Sequence, residues 1–156
     1  MAPIKRHEAL VRYSKEHHFG LMLGWKVRQG VKNNIEVQRM VAYVSAACKA
    51  EIMPHFDNEE KELFVLLNEN DTLRLQAEKE HFEIRQKLDS LVASNSVESL
   101  EEFTTMLDAH IRFEERQLFP HIEQQQSFEV YAEAMKAHES KPHADFDGNW
   151  QDQFWK

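Results

Sequence analysis

The sequence predicts an all-α protein, an up-down-up-down four-helix bundle followed by a short C-terminal helix and tail. Three observations carry this prediction. Of 156 residues only four are Gly and four are Pro, while Ala, Leu, Glu, Lys and Gln are abundant, a composition that favours helices. Apolar residues recur in steps of three and four along four long stretches, the period of a helix that buries one face. The breaks between stretches are short, so consecutive helices pack as antiparallel neighbours. The length suits one domain with a substantial core. The bundle is expected over about 5–125, and the short helix and tail over 126–156.

The first helix is expected from Lys5 to Gln29, with Gly30 ending it. Its inward stripe reads Val11, Ser14, His18, Leu21, Trp25. The second begins at Asn33 or Asn34, both good N-caps, and runs to about Asn68. Its stripe is Val37, Val41, Val44, Cys48, Ile52, His55, Glu59, Leu63, Leu66. Pro54 removes a backbone donor within it and predicts a kink just before His55. The third follows the polar break Asn68–Asp71 and runs to about Ala93, with Leu73, Ala77, His81, Ile84, Leu88 and Leu91 inward. The fourth starts after Ser94-Asn-Ser96, with Ser99 and Glu102 a second possible capping box. Its stripe is Leu100, Phe103, Leu107, His110, Glu114, Leu118, ending near Pro120 or a turn beyond. A shorter helix covers Ser127 to His138, and the rest of the tail has no clear period.

A ten-residue pattern occurs twice on these stripes. His55-Phe-Asp-Asn-Glu59-Glu-Lys-Glu-Leu-Phe64 matches His110-Ile-Arg-Phe-Glu114-Glu-Arg-Gln-Leu-Phe119, with His, Glu, Glu, Leu and Phe in the same places. Residues four apart lie one above the other on a helix, so each copy aims an imidazole and a carboxylate the same way. Leu63, Leu66, Leu107 and Leu118 share those faces, so the faces are buried. A lone inward His is commonly a hydrogen-bonded core residue. Two inward carboxylates are different, because a buried charge must be paired or bound to metal. His55, Glu59, His110 and Glu114 are therefore expected to ligate metal, joined by one imidazole each from helices one and three.

A His in helix one, His-x-x-x-Glu in helix two, a His in helix three and His-x-x-x-Glu in helix four resemble the hemerythrin-like HHE cation-binding domain. The flanks agree: Glu16-His-His18 followed by Leu21, Glu-Glu-x-x-Leu-Phe twice, and Glu80-His81 followed by Ile84-Arg85. The resemblance covers about residues 7–125. It implies two iron ions with an oxo or hydroxo bridge, manganese or zinc being possible substitutes. The ligands it implies are His18, His55, Glu59, His81, His110 and Glu114. In helix one, His17 and His18 cannot both face inward. His18, in line with Val11, Leu21 and Trp25, is the expected ligand, and His17, in line with Leu10, Leu21 and Gly24, is the alternative.

Two departures bear on function. Oxygen carriers of this family have His-x-x-x-His in the third helix, where this chain has Ala77 before His81. They also have Asp at the fifth place after the fourth-helix His, where Glu114 here comes at four and Glu115, at five, points off the His110 face. Glu78 is a possible substitute ligand, but it lies beside the stripe rather than on it. A lost imidazole opens a coordination position and favours reactivity over protected oxygen carriage. The resemblance thus implies a protein that binds or senses dioxygen, peroxide or nitric oxide; an oxidoreductase turning over peroxide or nitric oxide, or a structural cation-binding module, are the alternatives.

Other features exclude more than they assign. The formal charge of −8 argues against a nucleic-acid partner. One cysteine, Cys48, rules out an internal disulfide, and its place on the buried stripe reads as a small core residue. No apolar run approaches a membrane span and the first residues lack a signal-peptide stretch, so a cytoplasmic location is expected. His7, His121, His138 and His143 lie outside the stripes. The aromatic tail from Trp150 to Trp155 is expected to fold back on the bundle or to dock on a second subunit in a homodimer.

Overall fold

The computed structural model describes residues 6–137 and 145–156. His138 and His143 lie outside the described residues, as does Lys5, the expected start of helix one. The described residues are helical, without strands. None of their helices is long and apolar enough to cross a membrane.

A 3-10 turn, Glu8–Leu10, capped by the His7 ring, leads into α1, Val11–Lys32. The helix passes through Gly30 rather than stopping there. Gly30 is buried where a Cβ would stand 2.5 Å from Met40 Sδ and 2.9 Å from the Phe154 ring, so its role is close approach. The stop comes at Asn34, in the left-handed region at φ 56°. Ile35 donates to the Gly30 carbonyl and Asn34 to that of Val31, the paired bonds that close a helix C-terminus. Asn33 and Asn34 therefore end α1 and do not cap the next helix.

The second arm is α2, Val37–Ala47, continued by a π turn at Cys48–Ile52, by α3, Met53–Asn58, by a second π turn at Glu59–Leu63 and by a 3-10 turn at Phe64–Leu66. The wide turn at Cys48–Ile52, closed by the Met53 N–H on the Cys48 carbonyl, comes immediately before Pro54. It is the form the expected irregularity takes, since spreading the turn makes room for the proline ring. α4, Thr72–Ser94, is capped by Asp71, whose carboxylate accepts from the Leu73 and Arg74 amides, and it ends at left-handed Asn95. α5, Val97–Phe113, is capped by Ser96, which accepts from the Ser99 amide; Ser99 lies inside the helix, so no second capping box forms. A π turn at Glu114–Leu118 and α6, Phe119–Glu123, with Pro120 in its first turn, complete the fourth arm. α7, Phe128–Ala137, and α8, Phe146–Asn149, follow.

α1 packs on α5 and α2, and α4 packs on α5 and α2, which closes the ring of four arms. Two apolar cores fill it. One contains Leu23, Val27, Met40, Val44, Leu100 and Phe103, and the other Leu10, Leu63, Phe64, Leu118, Phe119 and Phe128. Fully burying each such side chain contributes roughly 1.5–3 kcal/mol. The apolar period breaks between the two cores, where polar residues occupy the inward positions. At the far end the tail folds back: Trp150, Phe154 and Trp155 surround the Tyr43 ring at 5.9, 5.8 and 4.9 Å. Asp147 takes hydrogen bonds from Tyr43 and from the buried Lys26.

Candidate metal centre

The inward polar residues between the two cores are His17, His55, Glu59, His81, His110 and Glu114, each 3% exposed or less. They form two groups sharing both carboxylates: His17, His55, Glu59 and Glu114, and Glu59, His81, His110 and Glu114. In each group one donor atom per residue lies within 4.8 Å of all the others. His55 and His81 Nε2 each stand 3.2 Å from Glu59 Oε1. Glu114 is 2.8 Å from His17 Nε2 through Oε1 and 3.3 Å from His110 Nε2 through Oε2. Glu59 and Glu114 each open a π turn, and such turns are frequent at functional sites.

The expected inward His18 is corrected to His17. His18 is exposed and belongs to neither group, whereas His17 is 3% exposed and sits in the first. The buried face of α1 runs Tyr13, His17, Gly20, Gly24, Val27, and Trp25, assigned inward from the sequence, is 42% exposed. Glycines supply this face because α5 lies against it: a Cβ on Gly20 would stand 2.7 Å from Ile111 Cδ1. The apolar stripe through His18 was thus misleading. A usable signal existed, since Lys15-Glu16-His17 recurs as Lys79-Glu80-His81. Glu78 takes no part in either group and pairs with Arg74 at 3.5 Å.

A second layer of carboxylates was not anticipated. Each imidazole turns Nε2 to the centre and donates Nδ1–H outward: His17 to Glu115 at 2.7 Å, His55 to Glu16 at 2.8 Å, His81 to Glu60 at 2.6 Å and His110 to Glu80 at 2.7 Å. Every bond crosses to another arm, linking arm one to two, two to three, three to four and four to one. Such bonds fix the tautomer and orientation of the ring and strengthen its inner nitrogen as a donor. The Phe ending each ten-residue repeat packs on an imidazole of a neighbouring arm, Phe64 at 5.2 Å from His81 and Phe119 stacked at 5.1 Å on His17. Phe56 also stacks on His81, at 3.9 Å.

The charges are strongly coupled. Burial pulls the His17 imidazole toward its neutral form, but the nearby carboxylates of Glu114, Glu115 and Glu59 outweigh it, and the ring holds its proton well above the ordinary range. His81 behaves alike, with Glu114, Glu59 and Glu60 overcoming burial. Burial and the facing Glu114 raise the Glu59 carboxyl, yet His55 and His17 bring it below the usual range. Burial likewise raises Glu114, and His110, His17 and His81 lower it well below. Both carboxylates are therefore ionised at neutral pH.

The donor set fits metal cations. His55 Nε2, His81 Nε2, His110 Nε2, both Glu59 oxygens and Glu114 Oε2 are buried with no hydrogen-bond partner in the protein. Unpartnered polar atoms of this kind are costly, and cations placed among them would remove the cost. Fold and site together define a four-helix bundle whose His/Glu cluster can hold metal cations. Residues 9–122 match the model of the Hemerythrin HHE cation binding domain, and the chain belongs to that family. Comparison with curated proteins found no match, and comparison with solved structures found none either.

Proposed function

We propose that the chain holds two iron ions and uses them to bind or sense a small oxidant, dioxygen, peroxide or nitric oxide. The observation that carries this reading is the pair of donor groups sharing Glu59 and Glu114, each completed by two imidazoles. His17 and His55 would hold one ion, His81 and His110 the other, and the two carboxylates would serve both. Mixed imidazole and carboxylate donors suit iron, with manganese or zinc able to substitute. Bound iron would supply redox electrons and positions open to a small ligand. The protein's own part is to hold four Nε2 atoms in place through the outer carboxylates and to keep water out with Phe56, Phe64 and Phe119. The same reading places the protein in the cytoplasm, in keeping with its single, buried cysteine thiol.

The test is metal analysis together with an absorption spectrum taken before and after air or nitric oxide is admitted. About two irons per chain and a visible band that changes on exposure are expected from a carboxylate-bridged pair. Colourless, metal-free protein after iron loading under reducing conditions would overturn the reading.

Ala77 favours a second reading, an oxidoreductase turning over peroxide or nitric oxide. It is fully buried one turn before His81 and offers no donor, which leaves that side of the centre open to reaction. Many turnovers per chain, lost in Glu59→Ala and Glu114→Ala, would support it, and stoichiometric binding alone would count against it. Strong thermal destabilisation on chelation, reversed equally by zinc and iron and without redox chemistry, would point instead to a structural cation module.

A further inference from the structure

The two cation positions have the same inner donor types, and a difference in the layer behind them bears directly on how strongly each imidazole binds. Each outer carboxylate can strengthen its imidazole only with the charge that no other cation claims. Three of the four are claimed by arginine. Glu115 lies 3.4 Å from Arg6, Glu16 3.9 Å from Arg12, and Glu60 2.8 Å from Arg85. Glu80 breaks the pattern. Arg12 stands one turn before Glu16, and the matching place before Glu80 is Gln76, whose amide Nε2 donates to Glu80 Oε2 at 2.9 Å. A neutral amide thus replaces a guanidinium on the only arm that serves His110.

Two arginines therefore stand behind the His17/His55 position, and one behind the His81/His110 position. Arg6 and Arg12 side chains are only 8% and 17% exposed, so solvent and salt screen them weakly. Each arginine also meets a further acid, Glu123 for Arg6, Glu62 for Arg12 and Asp57 for Arg85. That sharing is common to all three arms and does not separate them. The difference that remains is Gln76.

We infer that the two cation positions are unequal, and that Gln76, by leaving the Glu80 charge to His110, makes the position of His81 and His110 the first to fill. Gln76 acts through Glu80 and is a positioning residue. The inference rests on the two-cation reading above.

The test is a titration of the metal-free full chain with zinc(II), followed by calorimetry and by NMR of 15N-labelled histidine. The rings are assigned through contacts to Phe64, which lies against His81, to Phe119, which lies against His17, and to Tyr13, which lies against His55, while His110 is the further ring beside Phe56. Two steps are expected, the first about tenfold tighter, equivalent to about 1.4 kcal/mol, and moving the His81 and His110 resonances. Gln76 is exposed, so Q76R should fold and weaken the first step about tenfold with the second unchanged. R12Q should tighten the second step instead. Equal steps, filling of His17 and His55 first, or steps unaltered in both variants would overturn the inference while leaving two-cation binding intact. Absence of zinc binding in the parent chain would remove both.

Discussion

Glu115 accepts a hydrogen bond from Nδ1 of His17 at 2.7 Å, across the bundle, while its chain neighbour Glu114 meets Nε2 of the same ring at 2.8 Å. Two consecutive residues thus hold one imidazole from its outer and inner sides. Ser14 adds a hydroxyl to Glu115 at 2.8 Å, and Arg6 approaches its other oxygen. Replacing Glu115 by Gln should weaken cation binding about 10- to 100-fold, the usual effect of losing such a partner. The fold should persist, because Glu115 is 26% exposed and the amide remains polar. Calorimetric titration with circular dichroism on the same samples checks both parts.

His17 and His18 provide a direct contrast. His17→Ala removes an imidazole from one donor group and should leave about one ion per chain out of the two that a carboxylate-bridged pair holds. His18→Ala changes an exposed side chain and should match the parent chain in metal content. Elemental analysis of the loaded, desalted variants decides; equal loss in both, or loss only in His18→Ala, would be the wrong result.

Protons and cations compete for the same nitrogens. The His17 and His81 imidazoles are raised above their ordinary value. In the metal-free chain their contribution to stability is therefore complete below about pH 6.5, the unfolded value, and is lost as pH rises through the folded values. Metal loading should reverse this trend, since ligand nitrogens must shed their protons. Adding zinc at neutral pH should release protons into a weakly buffered indicator solution, and cation affinity should fall as the medium is acidified. Calorimetric melting at several pH values, with and without metal, tests the sign.

Asp147 fastens the tail. It accepts from Tyr43 at 2.7 Å and pairs with Lys26, which is itself 6% exposed and lies over the Trp155 ring at 4.5 Å. Asp147→Ala would leave a buried ammonium and a buried hydroxyl without their acceptor. A loss of about 2–3 kcal/mol in denaturant unfolding is expected, less than for a wholly buried pair, with metal content unchanged.

Cys48 lies within the π turn before Pro54 and is fully buried. Burial pushes its thiol far above the ordinary range, so almost no thiolate is present at neutral pH. Iodoacetamide should label the native chain very slowly and the unfolded chain at the rate of a free thiol. Rapid native labelling, read by mass spectrometry, would contradict the packing described.

Much of the bundle was legible because helical period and chain breaks are local properties. The stripes of arms two, three and four, from Val41 to Leu63, from Ala77 to Leu91 and from Leu100 to Leu118, are buried as read. Arm one failed for a physical reason. Its inward face is built from Gly20 and Gly24 against α5, so packing replaced side-chain hydrophobicity as the organising feature. The same applies to Gly30, which looks like a stop but is a contact with Met40 and Phe154.

By itself the sequence determined an all-helical chain, an HHE-type family membership, and a doubled His-x-x-x-Glu that must sit on buried faces, since 3.6-residue spacing aligns those side chains in any helix. Only the tertiary structure decided that His17 rather than His18 turns inward, and that Glu16, Glu60, Glu80 and Glu115 each hold an imidazole of a neighbouring arm. Those contacts join residues from 21 to 98 positions apart. Helical spacing carries no information about which residues meet across the bundle; the rotation and approach of each packed helix set that.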